Sequence, residues 1–151
     1  MKILLPVDGS ELSLEAVRFA IRMVLAGLRA DAVLANVQES ANLYELLLAE
    51  DPELIDRASA EAGLHALVGA QALLDAAGVE YECEVAKGDP AHIIIEISER
   101  FGCDLIVMGA RGTSTLRLAM LGSVSNEVLH ASAVPVMIVK PDEFSEALTE
   151  P

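Results

Sequence analysis

Tryptophan is absent from this sequence of 151 residues, and aromatic residues make up only 3% of it. Cysteine is scarce as well. Cys83 and Cys103 form neither a CxxC pair nor a Cys/His pattern of the kind that binds metals, so we expect two reduced thiols in or near the core. The histidines, His65, His92 and His130, have no i, i+4 pairing and are not expected to be metal ligands.

Basic residues are also few. Ten Lys and Arg stand against 24 Asp and Glu, which gives a net charge of −14. Such a surface repels phosphate backbones and anionic lipid, so no nucleic-acid partner is expected. Six acids and no base lie between residues 39 and 56, and residues 142–151 form an acidic tail. The pattern predicts one domain over residues 1–141, followed by that tail.

Long apolar runs are missing too. None reaches the roughly 18 residues that a membrane span requires, and no secretory apolar segment follows Lys2. We therefore expect no membrane partner and a cytoplasmic location. Hydrophobic residues nevertheless make up 53% of the chain, and the mean hydropathy is +0.44. A chain of this length and composition can bury a substantial core.

Short apolar runs alternate with helical patterns along the whole chain. The predicted strands are Lys2–Asp8, Ala32–Val37, Val79–Val85, Leu105–Met108 and Val134–Val139. Helices are expected after the caps Ser10 and Asp89, over Pro52–Ala77 before Gly78, and over Ser123–Ser132. Residues 39–52 are expected to form a mobile connection. Five strands alternating with four helices predict an α/β fold with an open parallel sheet that helices cover on both faces.

In open parallel sheets, ligands bind beyond the carboxyl ends of the strands, where the winding direction reverses. Two predicted strand ends are unusual: Pro6-Val7-Asp8 after the first, and residues 108–112 after the fourth. At the fourth strand end, Gly109 and Gly112 are expected to allow backbone conformations in which amide groups converge on a phosphate.

A second glycine element follows nine residues later. Gly122-Ser123 opens a helix, whose free N–H groups and dipole favour an anion, and Ser125 offers a second hydroxyl. No acid lies between Leu105 and Asn126, and Arg111 is available to assist. Neither the P-loop pattern nor GxGxxG occurs. On the residues alone, ordinary loop and cap chemistry is favoured over nucleotide binding as the explanation.

The span from residue 109 to 140 resembles the C-terminal signature of the universal stress protein family. The nucleotide-binding branch of that family has Gly-x2-Gly-x9-Gly followed by Ser or Thr, a spacing met here by Gly109, Gly112, Gly122 and Ser123. Residues 2–20, KILLPVDGSELSLEAVRFA, resemble the family's first strand and helix. The resemblance implies the strand order 3-2-1-4-5, which brings the first and fourth strands together.

The resemblance also implies a role for each site residue. The adenosine side would comprise Pro6, Val7, Asp8 (near the ribose hydroxyls), Val37 (on adenine), Met108 and Gly109. The phosphate side would comprise Gly112, Gly122, Ser123, Ser125 and the backbone of Val124. One departure is Asn36, since many members have a histidine before the valine; it leaves the polar surroundings of the base open.

The family implies an ATP-binding regulatory or sensing module, with ADP or AMP as alternative ligands and Mg²⁺ or Mn²⁺ as the accompanying ion. It also implies a homodimer through the fifth strand, Val134–Val139. Two alternatives stay open: an interaction module of the same fold without nucleotide, and a slow ATP hydrolase. Efficient catalysis is not expected, because residues 105–126 contain no general base.

Overall fold

The computed structural model describes residues 1–40, 43–110 and 121–141. The elements follow in the order β1 (Lys2–Pro6), α1 (Glu11–Leu25), β2 (Asp31–Gln38), α2 (Leu43–Leu48), α3 (Pro52–Ala77), β3 (Tyr81–Lys87), α4 (Pro90–Arg100), β4 (Leu105–Gly109), α5 (Ser123–Ala131) and β5 (Val136–Val139). All pairings between strands are parallel, and the order across the sheet is β3-β2-β1-β4-β5. The predicted fold class and strand order are therefore confirmed.

Helices cover both faces of the sheet. On one face, α1 and α3 pack through residues such as Val17 and Leu67 against Leu5 and Leu34 of the sheet. On the other face, α4 and α5 pack against alternate residues of the same strands, among them Leu4. Because successive side chains of a strand point to opposite faces, each central strand contributes to both cores.

The predicted helix ends agree with the structure where local chemistry decides them. The side chain of Ser10 accepts a hydrogen bond from the Ser13 N–H, and Asp89 accepts one from the His92 N–H. Helix α3 spans the predicted Pro52–Ala77 and ends at Gly78, whose φ of 69° is the left-handed conformation that favours glycine.

The predicted bounds of several strands were wrong, because residues predicted at the strand ends form hydrogen bonds in neighbouring turns instead. Asp8 lies outside β1, since its carboxylate accepts a hydrogen bond from the Ser10 N–H and begins a turn. Val79 precedes β3, because its N–H bonds the Leu74 carbonyl and closes the end of α3. Val134 precedes β5, because its N–H and carbonyl both bond the Ser132 hydroxyl.

The connection after β2 contains the short helix α2, which the sequence did not predict and in which no residue is buried. One further expectation was wrong. Cys83 is exposed on the edge strand β3, where its Sγ accepts a 3.3 Å hydrogen bond from Gln71 of α3, whereas Cys103 is buried as expected. No described helix combines the length and the apolar character that would be needed to cross a bilayer. The tail that the sequence predicts over residues 142–151 lies outside the described residues.

Candidate functional site

A cavity of about 460 Å³ opens at the carboxyl ends of β1, β2 and β4 and at the start of α4 and α5. This is the place where the winding of the sheet reverses, between the adjacent strands β1 and β4. Its lining comprises Pro6, Val7, Asp8, Ser13, Ala35, Asn36, Val37, Gln38, Glu39, Pro90, Ile94, Met108, Gly109, Gly122, Ser123, Val124 and Ser125.

The end of β1 supplies a buried apolar residue followed by an exposed acid. Val7 is held to the sheet by a hydrogen bond of 2.8 Å from its N–H to the Ala35 carbonyl. Asp8 follows, and one of its carboxylate oxygens accepts a 2.9 Å hydrogen bond from the Ser10 N–H. The turn into α1 therefore orients Asp8 at the cavity.

The end of β2 supplies Val37 between two amide side chains. Asn36 is 3% exposed, and its Nδ2 donates a 2.8 Å hydrogen bond to the Val7 carbonyl. Gln38 donates from Nε2 to Asn36 Oδ1 at 2.7 Å. Asn36, where the sequence departs from the family pattern, thus links the ends of β1 and β2.

Gly109 ends β4, but it does not adopt a positive φ. The sequence analysis explained Gly109 by a backbone conformation that other residues resist, and that explanation was therefore wrong. A Cβ at Gly109 would lie 3.1 Å from both the Cγ and the backbone oxygen of Leu12, in the first turn of α1. Close approach of α1 to the end of β4 is what excludes a side chain here.

Helix α5 begins at the cavity without a side-chain cap. Gly122 is its N-cap residue, and the Gly122 N–H donates to the Ala110 carbonyl at 2.6 Å. No side chain of the described residues caps the first turn, which contains the N–H groups of Ser123, Val124 and Ser125. Such a helix start binds anions through amide N–H groups and the helix dipole.

The Ser125 hydroxyl, which the sequence predicts to bind phosphate, has a hydrogen-bond partner within the protein. Ser125 is 3% exposed, and its Oγ donates a 2.8 Å hydrogen bond to the Gly109 carbonyl. In this arrangement the hydroxyl proton joins α5 to β4 and is not directed at a phosphate. Ser123 is exposed at the helix start.

Charge is divided between the two sides of the cavity. Among the described residues, Asp8 and Glu39 are the acids that line it, and they follow β1 and β2. The described lining residues from β4 and α5 are uncharged. An anionic group is therefore favoured beside α5, and a neutral group that donates hydrogen bonds is favoured beside Asp8.

The structure brings ten predicted site residues to this one cavity, namely Pro6, Val7, Asp8, Val37, Met108, Gly109, Gly122, Ser123, Val124 and Ser125. Arg111 and Gly112 lie outside the described residues. Sequence reasoning missed Ser13, Ala35, Asn36, Gln38, Glu39, Pro90 and Ile94 as lining residues. Gln38 and Glu39 directly follow Val37, and Pro90 opens the helix after β3, so their positions just after two strands were a signal that the choice of the first and fourth strand ends left out.

No cluster of three or more His, Cys, Asp or Glu side chains able to hold a metal ion occurs among residues 1–40, 43–110 and 121–141. The described side chains of the cavity therefore do not form a metal site by themselves.

Comparison with known proteins gives a consistent result. The model of the family described as "Universal stress protein family" matches residues 1–140. Universal stress protein MJ0531 of Methanocaldococcus jannaschii is 34% identical over 139 residues, covering 92% of this chain and 81% of that protein. Universal stress protein YxiE of Bacillus subtilis is 34% identical over 145 residues, covering 92% and 98%.

Solved structures share the fold. The chain is similar to protein MJ0577 of Methanocaldococcus jannaschii, with a TM-score of 0.79 and 28% identity over 94% of this chain and 96% of that one. It is also similar to a universal stress protein solved in complex with cAMP, with a TM-score of 0.69 and 26% identity over 94% and 98%.

Proposed function

Because the chain belongs to the universal stress protein family, we propose that it binds an adenine nucleotide in the cavity at the carboxyl end of the sheet. ATP is the proposed ligand, with ADP and AMP as alternatives, since backbone amide groups do not distinguish nucleotides by their number of phosphate groups. The protein then acts as a regulatory or sensing module in the response to stress.

One observation carries the proposal: the uncapped start of α5 lies in the same cavity as the ends of β1 and β2. The phosphates would bind the amide groups of Ser123 and Val124 and the Ser123 hydroxyl. Gly122 carries no side chain that would obstruct them. Arg111 and Gly112 are proposed to assist from the segment after β4.

The adenosine would occupy the opposite side. Val37 and Met108 offer apolar surface for the base, and Pro6 and Val7 extend that surface towards the ribose. The Asp8 carboxylate accepts hydrogen bonds, which suits ribose hydroxyls. The relative solved with cAMP supports an adenine nucleotide, because that ligand also combines adenine, ribose and phosphate.

A divalent cation is proposed to arrive with the phosphates. Its ligands would be phosphate oxygens and water, since the described side chains do not form a metal cluster. Calorimetric titration with ATP in Mg²⁺, in Mn²⁺ and in EDTA tests this. Equal affinity in all three solutions would contradict a role for the ion.

Regulation is favoured over catalysis, because hydrolysis requires a group that positions the attacking water near the phosphates. The described residues on that side of the cavity include no His, Asp or Glu. We expect phosphate release far slower than the roughly 1 to 100 s⁻¹ of kinases. Turnover in that range, lost in Asp8→Asn, would overturn this part of the proposal.

The deciding experiment is calorimetry with ATP on the wild type, Gly122→Val and Ala60→Val. Gly122 has φ −64° and ψ 157°, which valine adopts without strain, so its side chain should block the phosphates without unfolding the chain. Ala60→Val introduces the same side chain on an exposed face of α3 and should bind as the wild type does. Unchanged affinity in Gly122→Val contradicts the assignment, and no binding by the wild type favours an interaction module without nucleotide.

We also propose a homodimer formed through β5 and a cytoplasmic location. The dimer would pair β5 with its copy across a two-fold axis, since β5 is an edge strand of the sheet. Mass spectrometry of small molecules released from the protein purified from its native cells identifies the resident nucleotide.

A further inference from the structure

Two hydrogen bonds in series link Gln38, Asn36 and the Val7 carbonyl at the end of β2. The Val7 carbonyl determines which group of each side chain donates and which accepts. The backbone carbonyl of Val7 can only accept a hydrogen bond. Asn36 Nδ2 lies 2.8 Å from that oxygen, and the residue is buried. The Asn36 amide must therefore present its NH₂ group to Val7, because the reverse orientation would bring two acceptor oxygens together.

The same logic applies to the next side chain. With its nitrogen bound to Val7, Asn36 has its oxygen Oδ1 left to receive Gln38 Nε2, at 2.7 Å. Gln38 must accordingly present its NH₂ group to Asn36. Its oxygen, Oε1, remains, and no hydrogen-bond donor from the described residues reaches that oxygen. The series thus ends in an acceptor.

Close packing from α3 holds the first member in place. A Cβ at Gly63 would lie 3.0 Å from Asn36 Oδ1 and 2.5 Å from Val85 Cγ1. The helix backbone therefore lies directly against the amide, and Asn36 has little room to turn over. Asn36 and Gln38 both line the cavity, as does Val37, which lies between them in the sequence and is proposed to pack on the base.

We propose that Gln38 selects the base of the nucleotide through this acceptor, with Asn36 as the residue that positions it. This inference rests on the proposed function, since it requires a nucleotide base beside Val37. An acceptor of determined orientation favours a base with an exocyclic amino group, such as adenine. It disfavours a 6-oxopurine, whose carbonyl oxygen would face Gln38 Oε1 without a proton between them.

Adenine and hypoxanthine nucleotides form a matched pair of probes, because they differ in the 6-amino and 6-oxo groups and the associated ring proton. The measurement is the ratio of the dissociation constants of ITP and ATP, obtained by calorimetry for each variant. Changes that affect phosphate binding alter both constants and cancel in this ratio. For the wild type we expect ITP to bind about tenfold more weakly than ATP, as one unpaired polar group implies.

Substitutions at Gln38 test the direction of the series. Gln38→Leu removes the acceptor and should bring the ratio close to one. Gln38→Lys replaces the acceptor by a donor and should invert the ratio, so that ITP binds more tightly. Asn36→Ala keeps Gln38 but frees its amide to turn over, so the ratio should also fall. Gln71→Leu is the matched control: Gln71 of α3 bonds Cys83 of β3 and does not line the cavity, so this variant should retain the wild-type ratio.

Each outcome decides the proposal. A wild-type ratio near one overturns it even if no variant folds. A wild-type ratio that persists in folded Gln38→Leu and Gln38→Lys overturns it while nucleotide binding itself stands. Wild-type protein that binds neither ATP nor ITP overturns the proposed function and this inference together.

Discussion

The hydroxyl of Ser125, in the first turn of α5, donates a 2.8 Å hydrogen bond to the carbonyl of Gly109, the last residue of β4. This buried hydrogen bond connects the end of β4 to the start of α5. It gives Ser125 a structural role beside the cavity, whereas Ser123, two residues earlier, is exposed and free to meet a ligand.

The two serines should therefore respond differently to loss of the hydroxyl. We expect Ser125→Ala to lower the free energy of unfolding by about 1 kcal/mol, because it leaves a buried carbonyl without this partner. Ser123→Ala should leave stability unchanged and weaken ATP binding. Urea denaturation and calorimetry on both variants measure this. A stable Ser125→Ala or an unstable Ser123→Ala would contradict the division of roles.

Two glycines on α3 offer a matched test of packing. In Gly63→Ala the new Cβ would lie 2.5 Å from Val85 Cγ1, so we expect a loss of stability of about 1 to 3 kcal/mol. In Gly69→Ala the nearest atoms, of Leu14, lie at 3.4 Å, and the variant should gain about 0.5 to 1 kcal/mol from helix propensity.

Both glycine variants change the same helix by the same methyl group, so urea denaturation at equal protein concentration separates packing from propensity. Equal stabilities for Gly63→Ala and Gly69→Ala would mean that α3 does not approach the sheet as closely as the structure has it. The ITP to ATP ratio of Gly63→Ala, if it folds, should also fall, because the methyl group would displace Asn36.

The two thiols should react at very different rates. Cys83 is exposed, whereas Cys103 is buried, and burial raises the pKa of the Cys103 thiol. Because thiolate is the reactive form, we expect one thiol per chain to be labelled by iodoacetamide in native protein and two in urea. Peptide mapping, with Cys83→Ser as the control, identifies the site. Rapid labelling of Cys103 in folded protein would contradict its burial.

The raised pKa of Cys103 also affects stability. The folded chain holds this proton more tightly than the unfolded chain does, so the contribution to stability is fully present below the ordinary thiol pKa of about 8.5. It is lost as the pH rises through the folded pKa. In Cys103→Ala this alkaline loss should be smaller, which urea denaturation between pH 7 and 10 can measure.

Dimer formation can be tested without disturbing the sheet within one chain. The carbonyls of Pro135 and Val139 accept hydrogen bonds from N–H groups on the β4 side. Because the backbone groups of successive strand residues point in opposite directions, the N–H and carbonyl of Ile138 face the outer edge of the sheet. Ile138→Pro removes an outward donor and should yield monomers by light scattering. Glu82→Lys, on the opposite edge strand, is the control and should remain dimeric.

A stable mass near 16 kDa for the wild type at micromolar concentration would contradict the proposed dimer. A dimeric Ile138→Pro would show that another surface holds the two copies together.

Local sequence was sufficient for much of the fold. The caps Ser10 and Asp89, and the stop at Gly78, act through bonds within a few residues, so the predicted helix ends agree with the structure. The predicted strand bounds were less accurate. Val79 and Val134 were assigned to strands because they are apolar, but their N–H groups bond residues of the neighbouring turns. The strand order came from family resemblance, because hydropathy alone does not say which strands become neighbours.

The sequence by itself determined the alternation of strands and helices, and it identified the glycine spacing that opens α5. Only the tertiary structure decided that Gly109 accommodates the close approach of Leu12, that Ser125 bonds Gly109, and that Asn36 bonds Val7. The physical reason is distance along the chain. A cap or a turn forms between residues that are already neighbours, whereas each of the contacts at Gly109 and from Asn36 to Val7 joins segments that only folding brings together.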